Sequence, residues 1–356
     1  MSSVDVVVPC YNYARYLNKC VESIINQHDL DVRVLIIDDA STDETPETGR
    51  ALAELDPRVY YRRHDENKGH IATYNEGLLG WASAEYSLLL SADDALAPGA
   101  LRRAVQLMNR HSDLGMTYGM ALIITDDTGP MLPAETASDQ YQIVSGSRFL
   151  QFCCANCYNP VPTPTAVVRT ELQHSLGGYR SDFPHTGDVE MWMRFATRGM
   201  VGVLRAVQGY YRWHGQNMGL QYYNQVVGDR REFVQTCEYV LTPLITQFTE
   251  SGLWLKKMNQ KMEEQAFRMA TRAFDIGESE ECKAWLEFAK EMSPGHHLSP
   301  KWWRLRVKRF LGPALWQSVQ PALHRLRGTP EKFPGLKETL FQPSQGQKIG
   351  WWPETP

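Results

Sequence analysis

The sequence predicts an α/β protein: a mostly parallel sheet flanked by helices, followed by an α-helical C-terminal region. Three observations carry that prediction. From residue 4 to about 125, short β-branched runs alternate with longer segments of helical period, as when parallel strands are joined by helical crossovers. Acidic pairs stand directly after two of the apolar runs, where an open parallel sheet has its ligand crevice. Beyond about residue 222 the strand-like runs give way to helical period.

Strands are expected at Val4–Val8, Val32–Ile37, Val59–Arg62 and Tyr86–Leu90, with a fifth at Met116–Thr125. Between the first two, Arg15–Gln27 carries Tyr16, Leu17, Cys20, Val21, Ile24 and Ile25 on one face at i, i+4 and i+8 spacing, which predicts an amphipathic helix. Residues 126–163 begin rich in Pro, Gly, Ser, Thr and Asp, which reads as loop, and hold a short helix near Arg148–Cys154. A strand near Thr165–Arg169 follows, then a helix near Val189–Arg198 that turns Met191, Trp192 and Phe195 inward, and a strand near Val207–Trp213.

Further on, Ala266–Pro294 places Ala270, Gly277, Ala284, Ala289 and Pro294 at positions resembling one tetratricopeptide helix pair. Such repeats need neighbours to bury their faces, and no second copy is present, so a helical cap is the preferred reading. No acidic residue lies between Glu291 and Glu331, while Lys301, Arg304, Arg306, Lys308, Arg309, Arg325 and Arg327 gather among Trp302, Trp303, Phe310 and Trp316. That composition suits an anionic membrane surface over 301–327, or a solvated helix that packs its aromatic face on the protein. After Glu331 an extended tail closes on Trp351, Trp352 and Pro353. The expected organisation is thus 1–221, 222–330 and 331–356.

Composition narrows the function. The 356 residues, 43% of them hydrophobic, suffice for one large core with a smaller appended unit. A net charge of -4 excludes a whole-chain nucleic-acid binder, which would show a basic excess. The N-terminus shows no export signal and no apolar run approaches a spanning length, so a cytoplasmic location is expected. The seven cysteines then read as reduced thiols, and Cys153, Cys154 and Cys157 lack a second Cys or His pair for zinc.

The chemistry is expected where Val34-Leu35-Ile36-Ile37 runs into Asp38-Asp39-Ala40-Ser41-Thr42-Asp43, and where Leu88-Leu89-Leu90 runs into Ser91-Ala92-Asp93-Asp94. Carboxylates gathered at one edge raise one another's pKa, and a divalent cation that also bridges phosphate oxygens offsets the repulsion. The alternative for each cluster is helix capping, by Ser41, Thr42 or Asp43 and by Asp94. A dehydrogenase or P-loop reading fails because the turn after the first strand is Pro9-Cys10-Tyr11-Asn12, with no glycine-rich fingerprint.

Taken together, residues 4–218 resemble the inverting family 2 glycosyltransferases, whose fold is the GT-A type of nucleotide-binding sheet. The resemblance rests on Val6-Val7-Val8-Pro9-Cys10-Tyr11-Asn12, the Asp38–Asp43 cluster, Asn67-Lys68-Gly69 with Asn75-Glu76-Gly77, Ser91-Ala92-Asp93, Gly187–Arg194 and Tyr211–Asn217. It implies nucleotide contacts from Pro9, Tyr11, Asn12, Asp39, Lys68, Ser91 and Ala92, a Mn2+ or Mg2+ ion held by Asp93 and His214, and Asp188 as the catalytic base, with Glu190 as its alternate. Tyr74 stands where an arginine is common, Ser91 where the first acid of Asp-X-Asp is usual, and Gly187 where a glutamate is usual; Lys68 or His70 would take the pyrophosphate. The implied reaction moves a sugar from a nucleotide-sugar donor, UDP-linked by default, to a saccharide or lipid-linked acceptor in surface polysaccharide biosynthesis, peripheral on the inner membrane face. Because of those three departures, a non-catalytic nucleotide- or glycan-binding scaffold on the same fold is the alternative.

Overall fold

The computed structural model describes residues 1–125, 140–218, 226–246, 248–293, 295, 300–312, 315–316, 318 and 344–353. Its chain divides into two compact units, one of Met1–Cys153, Tyr158–Asn217 and Pro343–Pro356, the other of Cys154–Cys157 and Met218–Gln342.

In the first unit β1 (Ser3–Cys10), β2 (Asp31–Asp38), β3 (Val59–Arg63) and β4 (Tyr86–Leu89) alternate with α1 (Ala14–Ile25), α2 (Thr45–Leu55) and α3 (His70–Gly80). After the two-residue β5 (Ala95–Leu96) come α4 (Ala100–Arg110), β6 (Leu114–Ile124), β7 (Tyr141–Val144) and α5 (Gly146–Asn156). Then follow β8 (Val167–Arg169), α6 (Thr170–Leu176), α7 (Gly187–Ala196), β9 (Met200–Arg212) and, near the C-terminus, β10 (Lys348–Ile349). The sheet order is β3-β2-β1-β4-β8-β6-β9-β5, with β10 on β6 and β7 on β9. β8 is antiparallel to both β4 and β6, and β6 is parallel to β9. The long strands therefore all run one way, and the sheet is mostly parallel, as expected.

Core packing follows the period of two along β1. Val4, Val6 and Val8 share a buried cluster with Leu17, Cys20, Val21 and Ile24 of α1, the apolar face anticipated from spacing. On the opposite face, Val7 and Ile37 lie against Gly77 of α3. The expected strands reappear with ends shifted by a few residues, except that β9 starts at Met200, seven residues ahead of the predicted Val207. Its early half pairs with β6 and β7, and such pairing is set by tertiary neighbours. Of the expected loop over 126–163, residues 126–139 lie outside the described residues, while 141–144 form β7.

Register positions the functional edge. Pro9 pairs with Ile37 and Cys10 with Asp38, while Val7 pairs with Leu89. The turn after each of β1, β2 and β4 thus opens at the same carboxyl edge. Asp39 N donates to Cys10 O at 2.9 Å and Ala92 N to Pro9 O at 3.3 Å, which carries the ladder as far as the acidic residues themselves.

The second unit holds α8 (Val226–Leu241), α9 (Ser251–Ile276), α10 (Ser279–Met292) and α11 (Pro300–Leu311). α9 ends on Gly277 in the left-handed region at φ 88°, a conformation glycine adopts without strain. The turn folds α10 back so that Ala270, Ala273, Trp285, Phe288 and Ala289 are all buried; Pro294 of the expected repeat-like pair lies outside the described residues. The expected tail falls outside them at 331–343 and 354–356, and 344–353 contribute β10. All seven cysteines are buried, and none is in a disulfide.

A Cβ added at Gly77 would collide with Val7 Cγ1 and lie 3.2 Å from Ile37 Cδ1, so Gly77→Ala must push α3 off the sheet. The variant is expected to lose about 1–3 kcal/mol, read as a lower midpoint in urea unfolding.

Candidate active site

The turns after β1 and β2 are built as one piece. Asn12 takes a left-handed φ of 59°, which asparagine tolerates better than most side chains. Its backbone N–H donates to Ser41 Oγ at 3.0 Å, and its Oδ1 accepts from Thr42 N at 2.8 Å. Asp43 accepts from Ala14 N at 3.0 Å and from Thr45 N at 3.1 Å, so one carboxylate serves the first turns of α1 and α2. Pro9 is half-buried beneath this platform, and Tyr11 is 46% exposed upon it.

Asp39 is buried and satisfied by its own neighbourhood. Its carboxylate accepts from Lys68 N at 2.8 Å and Gly69 N at 2.9 Å, and meets His64 Nδ1 at 2.7 Å. His64 is buried as well, and its Nε2 meets Glu76 Oε2 at 3.0 Å. Lys68 directs its Nζ to the same Glu76 oxygen at 3.3 Å, and Arg62 bonds the other at 2.9 Å. Burial works against the Glu76 charge, but hydrogen bonds from Arg62, His64 and Lys68 outweigh it and bring its pKa to about 2. Across the strand edge, Ser91 is half-buried with its carbonyl facing Cys20 Sγ at 3.6 Å, and Ala92 is fully buried.

The third turn meets the end of β9. Pairing of Ala95 with Tyr210 brings 212–214 beside the acids. Arg212 donates its backbone N–H to Asp94 Oδ1 and its Nε–H to Asp93 O, both at 2.8 Å. His214 Nδ1 accepts from Gln216 N at 3.1 Å, so the ring proton sits on Nε2, which reaches Asp93 Oδ2 at 3.0 Å. The rings of Tyr13 and Tyr16 lie 5.5 and 5.2 Å from that imidazole. Asp94 is raised well above the usual carboxylate range, by burial first and by the Asp93 charge second. Asp93 and His214, distant in sequence, are thus neighbours; no group of three or more His, Cys, Asp or Glu able to hold a metal occurs among the described residues.

Asp188 lies in the first turn of α7 and accepts from Thr163 Oγ1 at 2.6 Å. Burial raises its pKa, while the Thr163 hydrogen bond, the charges of His70 and His185 and a hydrogen bond from Tyr179 pull it back. The alternate base, Glu190, is fully buried, with its Oε1 2.7 Å from Arg194 Nε. Arg194 in turn donates to Leu176 O and Gly178 O at 2.6 and 2.7 Å, so this pair anchors the loop before α7. That loop is also clamped to α3: Asn75 exchanges two hydrogen bonds with the Tyr179 backbone at 2.8 and 2.7 Å, and His70 Nε2 meets Pro184 O at 2.9 Å.

Tyr74 occupies the arginine position as a buried ring, 5.4 Å from both His70 and Tyr179. Burial keeps its hydroxyl protonated far above neutral pH, and the charges of Asp188 and Asp93 act in the same direction. Nothing in the sequence singled out His64, Thr163 or Tyr179, which meet Asp39, Asp188 and Asn75 across 25, 25 and 104 residues. Arg212 stands two residues before His214 in an already recognised motif, a signal that could have found it.

A mostly parallel sheet whose turns collect acids at one edge, with a further acid contributed by a later helix, defines the GT-A class of glycosyltransferase fold. Residues 5–167 match the family Glycosyl transferase family 2. An uncharacterized glycosyltransferase of Haemophilus influenzae is 26% identical over 223 residues, which cover 62% of this chain and 68% of that one. Chondroitin synthase of Pasteurella multocida is 33% identical over 115 residues, 32% of this chain and 12% of that one. Among solved structures, S. aureus TarS 1-349 in complex with UDP-GlcNAc has a TM-score of 0.52 at 14% identity, covering 84% of this chain and 92% of that one. The Pyrobaculum calidifontis mannosyltransferase PcManGT, in complex with GDP-Man and Mn2+, has a TM-score of 0.50 at 18% identity over 92% of this chain and 88% of that one.

The depressed Glu76 carboxylate contributes stability that is fully present above the ordinary value of 4.5 and lost as pH falls through about 2. Glu76→Gln is expected to cost about 2 kcal/mol at pH 7, a figure reduced for the solvent exposure of its Arg62 and Lys68 partners. Urea titrations at pH 7 and pH 3 check it: the variant should lie closer to wild type at pH 3.

Proposed function

We propose that this chain transfers a sugar from a nucleotide-sugar donor to a saccharide or lipid-linked saccharide acceptor with inversion at the anomeric carbon. The observation that carries the reading is the meeting of Asp93 and His214 across 121 residues at the carboxyl edge of the sheet, with Asp188 a buried acid in the first turn of α7. Pro9, Tyr11 and Asn12 would flank the base of the nucleotide, with Asp39, Ser91 and Ala92 lining the ribose side and Lys68 the pyrophosphate side. Asp39 already holds two backbone N–H groups, and a carboxylate retains lone pairs for a further donor.

Asp188 takes the proton of the acceptor hydroxyl. The freed oxygen attacks the anomeric carbon from the face opposite the nucleotide, and the bond from that carbon to the diphosphate oxygen breaks. A raised Asp188 pKa suits this role, because a carboxylate that resists charge is a stronger base. Tyr74 and Tyr179 supply fixed hydroxyls beside it, and Thr163 holds its rotamer.

Asp93 and His214 fit a divalent cation in their chemistry: an oxygen and a nitrogen donor on one edge, with diphosphate oxygens to complete a set that such ions share between protein and nucleotide. Mn2+ or Mg2+ bound there would neutralise charge on the departing diphosphate. A UDP-sugar is the first donor to examine, since the TarS structure is a complex with UDP-GlcNAc; the GDP-Man complex of PcManGT makes guanosine the second. Similarity to chondroitin synthase supports a place in polysaccharide biosynthesis, with a lipid-linked acceptor presented at the inner membrane face.

Calorimetry with UDP, GDP, CDP and dTDP, each with and without Mn2+, tests the reading. One nucleotide should bind in a metal-dependent manner, and Asp93→Ala should abolish that dependence. Asp188→Asn should keep nucleotide affinity within about twofold while kcat falls roughly 10²–10⁴-fold. Nucleotide binding without turnover on any donor would instead mark a scaffold.

Removing the Thr163 hydrogen bond takes away a stabiliser of the charged Asp188, so Thr163→Val should move the acid limb of the kcat/KM profile to higher pH. An unchanged limb would show that the titrating base is a different group.

A further inference from the structure

The second unit carries a surface with no counterpart in the glycosyl-transfer machinery. On α11, Leu305 is buried, whereas Trp303 is 52%, Val307 58%, Phe310 91% and Leu311 42% exposed. At about 100° per residue, these four exposed apolar side chains fall in one stripe centred roughly opposite Leu305. Arg304 and Arg306 border the stripe on its two sides, and both are exposed. The helix thus inverts the usual arrangement for a surface helix: its inward contact is small, and its widest apolar face is turned to solvent with basic edges.

Beside the stripe, α10 and α11 enclose a cavity of about 260 Å³ lined by Leu286, Trp302, Leu305, Arg306 and Arg309. Its walls are apolar at the base and cationic at the rim. The Arg306 guanidinium lies 5.0 Å from the Trp302 ring and 5.1 Å from the Trp303 ring, so the cation is held where the apolar stripe begins. Lys308 turns the other way, to Asp275 at 3.0 Å, which fixes α11 on the α9–α10 hairpin.

We propose that α11 is an interfacial membrane-docking helix, whose Trp303, Val307, Phe310 and Leu311 enter the head-group boundary of an anionic bilayer while Arg304, Arg306 and Arg309 engage its phosphates. The occupant follows from charge and shape together. No acidic residue occurs between Glu291 and Glu331, so nothing on the segment itself offsets Arg304, Arg306 and Arg309, and an apolar stripe with basic borders matches a surface with negative charge above and hydrocarbon beneath. The groove rimmed by Arg306 and Arg309 suits one lipid phosphate with its first methylenes against Trp302. Arg325 and Arg327, the remaining cations of 301–327, lie outside the described residues.

Flotation of the full chain with vesicles of phosphatidylcholine alone, or of phosphatidylcholine and phosphatidylglycerol at equal parts, tests this without any donor or acceptor. A failure here therefore leaves the catalytic reading standing. Wild type should float with the mixed vesicles and remain behind with the neutral ones. Arg306→Gln with Arg309→Gln should weaken that binding by about fivefold for each lost charge. Trp303→Ser with Phe310→Ser should weaken it tenfold or more, with the same circular dichroism and elution volume as wild type. Equal binding to neutral vesicles, no flotation, or an apolar-stripe variant that floats normally but elutes as a smaller assembly would each overturn the proposal; the last would assign the stripe to contact between copies of the chain.

Discussion

Bringing several carboxylates to one edge of a parallel sheet is the constraint on which the rest of the catalytic unit depends. Parallel register leaves no choice: the turns after β1, β2 and β4 must open side by side. Each buried charge there needs a partner, since an unpaired one would be too costly to ionise. The partners differ from acid to acid. Asp38 accepts from Ser41 N and the Tyr61 hydroxyl, Asp39 from two backbone N–H groups beside His64, and Asp43 from the first turns of two helices. Three of the acids are thereby occupied in holding the turns in shape.

The remaining acids are less fully compensated. Burial drives the pKa of both Asp94 and Asp188 upward, and Asp93 has the His214 imidazole at hydrogen-bond distance. A stabilised carboxylate is a poor base and a poor metal ligand; one left under electrostatic pressure is better at both. The same logic separates Asp188 from Glu190. Both lie in the first turn of α7 and burial raises the pKa of both, yet Glu190 is ion-paired to Arg194 and fixes the preceding loop, while Asp188 meets the hydroxyls of Thr163 and Tyr179.

The helical unit is organised by a different balance. The α9–α10 hairpin buries aromatic and alanine side chains as an ordinary core does, and α11 attaches through Leu305 and the Lys308–Asp275 ion pair. Little of α11 is needed for that attachment. Its exposed apolar stripe and the buried Leu305 occupy different faces.

By itself the sequence determined the alternation of strands and helices, the parallel character of the sheet, the buried face of α1 and the strand-end position of the acids, because these depend on local period and on the geometry of parallel crossovers. Of the segments that resemble family 2, those from the first strand to Ser91-Ala92-Asp93 fall within the span 5–167 that matches the family. Only the tertiary structure decided which acids are spent on structure and which are not. Asp39 meets His64 across 25 residues, Asp188 meets Thr163 across 25, and Asp93 meets His214 across 121. Pairings of that separation come from strand order and register, and β5, β7, β10 and the early half of β9 are themselves made by such neighbours. A carboxylate followed by a helix looks the same in sequence whether it caps, braces or titrates; its burial and its partners distinguish the three, and both are properties of the folded chain.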